Sequence, residues 1–169
     1  MAPTPARRSI ALTAVVVVLV IEATIAGYLF LHGKDVGPGV GWIRVGSTEE
    51  VDQAGITLVE SVPAYVVATP EGLIGLYAKS PQTGEPVKYC ASSGWFEDAA
   101  HGSKFDALGD YVLGPAPQGL YRLGIQVVSG DVWIDPTERS IGAPRGTHSV
   151  KQEGPFVEQA GPFCTGGSG

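Results

Sequence analysis

From Trp42 onward the apolar positions of this chain come in short, β-branched and aromatic runs, at 42–45, 64–67, 73–77, 123–127 and 132–134. Residues of this kind suit a pleated, half-buried surface, and each run is bounded by turn chemistry. Thr69-Pro70-Glu71-Gly72 and Ser129-Gly130-Asp131 read as hairpin connections, with glycine supplying the positive φ that tight turns need. The pattern predicts an all-β head, an antiparallel sandwich or small barrel. After Ile134 the chain is Pro- and Gly-rich to its end, too polar and broken to fold alone. It is expected to drape over the head or a neighbour.

The first residues follow a different pattern. Residues 10–31 form an apolar run broken by one charge, Glu22, long enough as a helix to span about 30 Å of hydrocarbon at ~1.5 Å per residue. Arg7 and Arg8 precede it and no basic cluster follows at once. The N-terminus is therefore expected in the cytoplasm and the head outside the cell membrane, on a single pass. A cleaved signal peptide is the competing reading, since Thr24-Ile25-Ala26 loosely resembles a cleavage site, but the apolar run continues past it. A carboxylate within a span is costly unless protonated or partnered, so Glu22 is expected to contact another transmembrane helix. Residues 33–41, GKDVGPGVG, read as a flexible tether. The expected organisation is a cytoplasmic N-terminus (1–9), a transmembrane helix (10–31), a Gly-rich hinge (32–41), a β head (42–135) and a tail (136–169) packed on the head.

Composition narrows the function classes. With 44% hydrophobic and 17% charged residues the chain is not disordered, and 24 glycines and 13 prolines suit a turn-rich β domain. A net charge of −6 with no basic stripe argues against nucleic acid as a partner. No G-x-S-x-G, Walker, H-E-x-x-H or G-x-G-x-x-G motif is present. The two cysteines, Cys90 and Cys164, are an even count in an oxidising compartment and are expected to bond to each other. The alternative is a metal site from Cys90, His101, His148 and Cys164, which lacks any close ligand pair such as C-x-x-C.

Residues 86–123, PVKYCASSGWFEDAAHGSKFDALGDYVLGPAPQGLYRL, resemble the second cluster box and following strands of Rieske iron-sulfur proteins, especially the bacterial quinol:cytochrome c reductase type. His101-Gly102-Ser103, Phe105-Asp106, Gly109 and Gly114-Pro115-Ala116-Pro117 stand in that family's order. Trp42-Ile43-Arg44-Val45-Gly46 is similar to its first head strand, and Cys90 and Cys164 look like the extra cysteine pair of some bacterial members. The resemblance implies a Rieske-like head on one transmembrane helix. It also implies a [2Fe-2S] cluster held by two thiolates and two imidazoles.

The ligand positions depart from that pattern. The family's first box falls on residues 80–85 and its second on 98–101, and the stretch between keeps the family's length. Ser80 and Asp98 then stand at the thiolate positions, Gln82 at one imidazole position, and His101 alone is retained. The disulfide that flanks the family's cluster would fall on Glu85 and Ala100. Three of four ligands being replaced, no cofactor and no metal are expected, with Asp98 and His101 the best metal candidates if any. No catalytic residue is expected. The function implied is a structural or regulatory Rieske-fold subunit of a respiratory or photosynthetic electron-transfer complex, beside cytochrome b or c type and quinone-handling chains. Two alternatives stand beside it: an active carrier in quinol oxidation with an atypical metal site, and a ligand-binding or assembly module.

Overall fold

The structure, a computed structural model, describes residues 5–32, 37–147 and 158–165. The chain divides into two compact units, Met1–Gly37 and Pro38–Gly169. The first contains helix α1 (Pro5–His32). Its side chains are described for residues 15–28, where all, including Glu22, are exposed. The expected span of 10–31 lies partly outside those side chains, as do Arg7 and Arg8. Among the described residues no helix is long and apolar enough to cross a membrane.

The second unit is built of antiparallel strands, as the apolar pattern predicts. Its strands are β1 (Ile43–Ser47), β2 (Ile56–Val59), β3 (Ala64–Thr69), β4 (Gly72–Tyr77), β5 (Val87–Cys90), β6 (Trp95–Asp98), β7 (Lys104–Phe105), β8 (Tyr111–Leu113), β9 (Arg122–Val128) and β10 (Asp131–Ser140). They form a six-stranded sheet, β1-β10-β9-β4-β3-β2, and a four-stranded sheet, β5-β6-β7-β8. Both expected hairpins are present. Thr69 pairs with Gly72 across a two-residue turn, and Val128 pairs with Asp131 across Ser129 and Gly130. The latter two residues have φ of 54° and 86°, the doubly positive geometry whose twist matches flanking strands.

The head is not purely β. Helix α2 (Thr48–Ala54) follows β1 and is started by a capping box. Ser47 accepts from the Glu50 N–H and the Glu50 carboxylate accepts from the Ser47 N–H. Its Val51 is buried. The head also runs past the expected boundary at 135, because β10 continues through Pro136 to Ser140. The register against β9 shifts between Asp135 and Arg139, and such an irregularity accommodates a residue with no N–H to donate.

Two apolar clusters share strand β3, which explains its unbroken apolar run. Ala64 and Val66 pack with Val51, Leu123, Val132 and Ile134. Tyr65 and Val67 pack with Leu76 and, from the smaller sheet, Val87, Phe96 and Phe105. Phe96 is fully buried, its ring centroid 5.0 Å from that of Tyr65 and 5.3 Å from that of Tyr89. This second cluster fixes the smaller sheet, and so the loops it carries, against the larger one. Replacing Phe96 by alanine is expected to cost about 3–5 kcal/mol in a denaturant titration of the head with its disulfide intact.

Candidate functional site

Strand β6 is buried at every position, and it delivers Asp98 to a turn that returns the chain as β7. The turn is closed by Asp98 N–H donating to the Ser103 carbonyl and Gly102 N–H donating to the Asp98 carbonyl, both at 2.9 Å. Asp98 Oδ1 accepts from the N–H groups of Ala100 at 3.0 Å and His101 at 3.1 Å, the local bonding that favours Asp at turns. Gly102 has φ of 76°, a left-handed conformation in which a side chain would be strained. The other carboxylate oxygen, Asp98 Oδ2, is buried without a hydrogen-bond partner and lies 4.0 Å from Nδ1 of the His101 ring, whose side chain is 45% exposed.

A second loop fastens this turn from the side. Ser103 Oγ is buried and accepts from the Ala116 N–H at 3.0 Å. Gly114, at φ of 98°, passes so close that a Cβ there would lie 2.5 Å from Ser103 Cα. Arg145 donates to the Gly114 and Ala116 carbonyls at 2.6 and 2.7 Å and stacks its guanidinium 4.4 Å from the Tyr111 ring centroid. The Gly114-Pro115-Ala116-Pro117 segment is therefore clamped between Ser103 and Arg145.

The 80–85 loop closes on itself, with Ser80 N–H donating to the Glu85 carbonyl at 2.8 Å and Gly84 N–H donating to the Ser80 carbonyl at 2.9 Å. Pro86 bridges to Lys79, and the next residue, Val87, pairs with Asp98, so the loop leaves at the same end of the smaller sheet as the 98–103 turn. Ser80 is buried and its Oγ has no partner, whereas Gln82 and Glu85 are exposed. Ser80 and Asp98 thus both present an unsatisfied buried oxygen, while Gln82 and His101 are on the surface.

The cysteines lie elsewhere. Cys90 and Cys164 form the expected disulfide. Cys90 pairs with Trp95 at the end of the β5–β6 hairpin opposite the Val87–Asp98 pair, so the alternative inventory with His101 is not brought together. His148 lies outside the described residues. The compact donor group among the described residues is instead Cys90, Glu97 and Cys164, with one ligand atom from each all within 4.8 Å of one another.

Nothing local in the sequence singles out Glu97 and Lys104. They are register partners that flank the 98–103 turn, both 1% exposed, with Nζ to Oε2 at 3.1 Å. The carboxylate also accepts from Ser93 Oγ at 2.9 Å, the Cys164 N–H at 3.1 Å, the Thr165 N–H at 2.8 Å and the Thr165 hydroxyl. Burial pushes the Glu97 pKa up, but the bonds from Thr165, Ser93 and Lys104 outweigh it and hold it down to about 2. The signal available in sequence was opposite charges placed symmetrically about D-A-A-H-G-S in otherwise apolar strands.

No family model matches the chain. It is 35% identical over 86 residues to the cytochrome b6-f complex iron-sulfur subunit of Synechococcus elongatus and, to the same extent, to that of a further Synechococcus strain, covering 47% of this chain. The chain spans about half the length of these curated relatives, the match covering 48% of them. Among solved structures, the cyanobacterial plasma membrane Rieske protein PetC3 from Synechocystis aligns with 54% of this chain and 97% of its own, at 22% identity and a TM-score of 0.46, too slight a likeness to define the fold. Over those 86 residues the chain is similar to iron-sulfur subunits of the cytochrome b6-f complex. That similarity supports the Rieske resemblance carried by residues 86–123.

That similarity corrects one expectation. The replaced ligands imply the absence of a cofactor, but the relatives matched are iron-sulfur subunits. The structure also supplies donor groups: the buried unpartnered oxygens of Ser80 and Asp98, and the Cys90, Glu97 and Cys164 group. The replaced ligands are therefore no ground for calling the site empty. Neither donor group reproduces two thiolates with two imidazoles. The first offers oxygens where thiolates would stand, and the sulfurs of the second are bonded to each other.

The Glu97 shift gives a test in pH. Its folded pKa of about 2 lies below the ordinary glutamate value of 4.5, so its contribution is fully present above pH 4.5 and is lost as pH falls toward 2. Denaturant titrations across that window should show a loss on the order of 3 kcal/mol from this group. Glu97→Gln should give a correspondingly shallower pH dependence.

Proposed function

We propose that this chain is a Rieske-type electron-transfer subunit of a membrane complex of the cytochrome b6-f kind, anchored by α1 with its head outside the cytoplasm. The observation that carries this reading is the 35% identity over 86 residues to cytochrome b6-f iron-sulfur subunits. It is supported by a head that keeps both loops of the family's site at one end of the smaller sheet, with the Gly114–Pro117 segment clamped behind them. The apolar run at 10–31 supplies the anchor, and Arg7 and Arg8 set its orientation. Glu22 faces a helix of a neighbouring subunit, of cytochrome or quinone-handling type. In mild detergent the full chain should migrate with haem-bearing subunits on a native gel, and Glu22→Leu should lower the comigrating fraction. Migration of the wild-type chain alone would contradict the reading.

A second reading concerns what the subunit holds, and Asp98 favours it. A buried carboxylate oxygen without a hydrogen-bond partner, 4.0 Å from an imidazole nitrogen, is costly unless something satisfies it. We infer an atypical metal group with oxygen as well as nitrogen ligation, which keeps the chain an electron carrier. Metal and acid-labile sulfide measured per chain in the purified complex should be stoichiometric in metal and fall sharply in Asp98→Ala. Equal metal content in the two proteins would contradict this assignment.

A further inference from the structure

The described residues 158–165 form a strap on the smaller sheet. Ala160 N–H donates to the Ser93 carbonyl at 2.8 Å, and Ser92 Oγ donates to the Pro162 carbonyl at 2.7 Å. Phe163 packs 5.8 Å from the Trp95 ring centroid, and Lys104 Nζ lies 4.8 Å from the Phe163 ring centroid. Cys164 is bonded to Cys90, and the Glu97 carboxylate takes the N–H groups of both Cys164 and Thr165. The Thr165 hydroxyl sits between Glu97 and Lys104, bonding to both.

This arrangement links the strap to the candidate site through one cross-strand pair. Glu97 is followed directly by Asp98, and Lys104 is preceded directly by Ser103, so the pair closes the base of the 98–103 turn. Whatever holds the strap also holds the donors that Glu97 and Lys104 need while buried. The two sulfurs differ in access. Cys90 is 2% exposed on β5, whereas Cys164 is on the exposed strap. Attack on a disulfide follows access to sulfur, so the outer sulfur is the reachable one.

We propose that Cys164 Sγ is a thiol–disulfide exchange site for a dithiol reductant, and that opening this disulfide releases the brace on the 98–103 turn. One thiolate of the dithiol attacks Cys164 Sγ, forming a mixed disulfide. The bond to Cys90 breaks, and its electron pair leaves on Cys90 Sγ, which takes a proton. The second thiolate then attacks the reductant's own sulfur in the mixed disulfide, freeing Cys164 as a thiol and leaving the reductant as a disulfide. Two electrons and two protons pass from the dithiol to the cystine. The strap is then held only by hydrogen bonds and ring contacts that the disulfide no longer keeps in register, and Glu97 loses fixed donors whenever the strap lifts.

The test uses the full chain in mild detergent, with dithiothreitol as the dithiol and amide hydrogen exchange as the readout. After reduction, peptides covering 98–104 should exchange at least tenfold faster while those covering β3 and β4 stay unchanged. The Cys90→Ser/Cys164→Ser double variant should show the same local effect without reductant. The attacked sulfur is located with glutathione, a monothiol that stops at the mixed disulfide, followed by N-ethylmaleimide. Glutathione should be found on Cys164 and the maleimide on Cys90. Glutathione on Cys90, unchanged exchange at 98–104 after complete reduction, or equal acceleration throughout the head would each overturn the proposal.

Discussion

The buried ion pair between Glu97 and Lys104 is the interaction on which the site end of the head depends. Both side chains are 1% exposed, and two charges removed from water lose several kcal/mol of hydration each. Their mutual attraction offsets that loss only because the remaining hydrogen-bonding capacity is filled. The carboxylate collects donors from Ser93, Lys104 and the strap's Cys164 and Thr165, while the ammonium meets Thr165 and the face of Phe163. A pair of this kind contributes register as much as stability. It permits one pairing of β6 with β7, hence one geometry of the turn between them, and it does so only with the strap in place.

The rest of the head supplies the platform. Phe96 and Phe105 lie in the cluster shared with β3 and β4, so the strands that carry Glu97 and Lys104 have their neighbouring residues in the main core. On the other side of the turn, Ser103 is bonded to Ala116 and the Gly114 segment is pinned by Arg145. The 98–103 turn is therefore fixed at its base by charge and at its flank by backbone hydrogen bonds. Within that rigid frame Asp98 Oδ2 and Ser80 Oγ remain unsatisfied. Buried polar groups without partners are uncommon in folded proteins, and among those of the head, which include Thr57 Oγ1 and Gln118 Nε2, these two occur at positions that the Rieske resemblance assigns to ligands.

What sequence reveals here follows from how locally each feature is determined. The hairpins at Thr69–Gly72 and Val128–Asp131 were legible because turn chemistry is written within four residues. Helix α2 carried an equally local signal, the Ser47 and Glu50 capping box, but at seven residues it was too short for a helical period to stand out. The continuation of β10 through Pro136 was hidden because a register irregularity, which only the partner strand defines, makes the proline tolerable. Ser80 and Gln82 look alike as polar replacements, yet one is buried and the other exposed, a difference set by loop closure. Glu97 and Lys104 stand seven residues apart in sequence, and only strand pairing places them opposite each other under the strap. The expectation of an empty site failed for a related reason, since it counted ligand types without knowing which oxygens would be left unsatisfied.

The account's central claim is that Glu97 and Lys104 act as one unit, and a double-mutant cycle on denaturant stability tests it most directly. Glu97→Gln and Lys104→Met should each cost about 3–5 kcal/mol, because either leaves an uncompensated buried charge. The double variant should be more stable than the sum of the single losses predicts by at least about 2 kcal/mol. Losses that add to within about 0.5 kcal/mol would contradict the claim and reduce the pair to two independent charges.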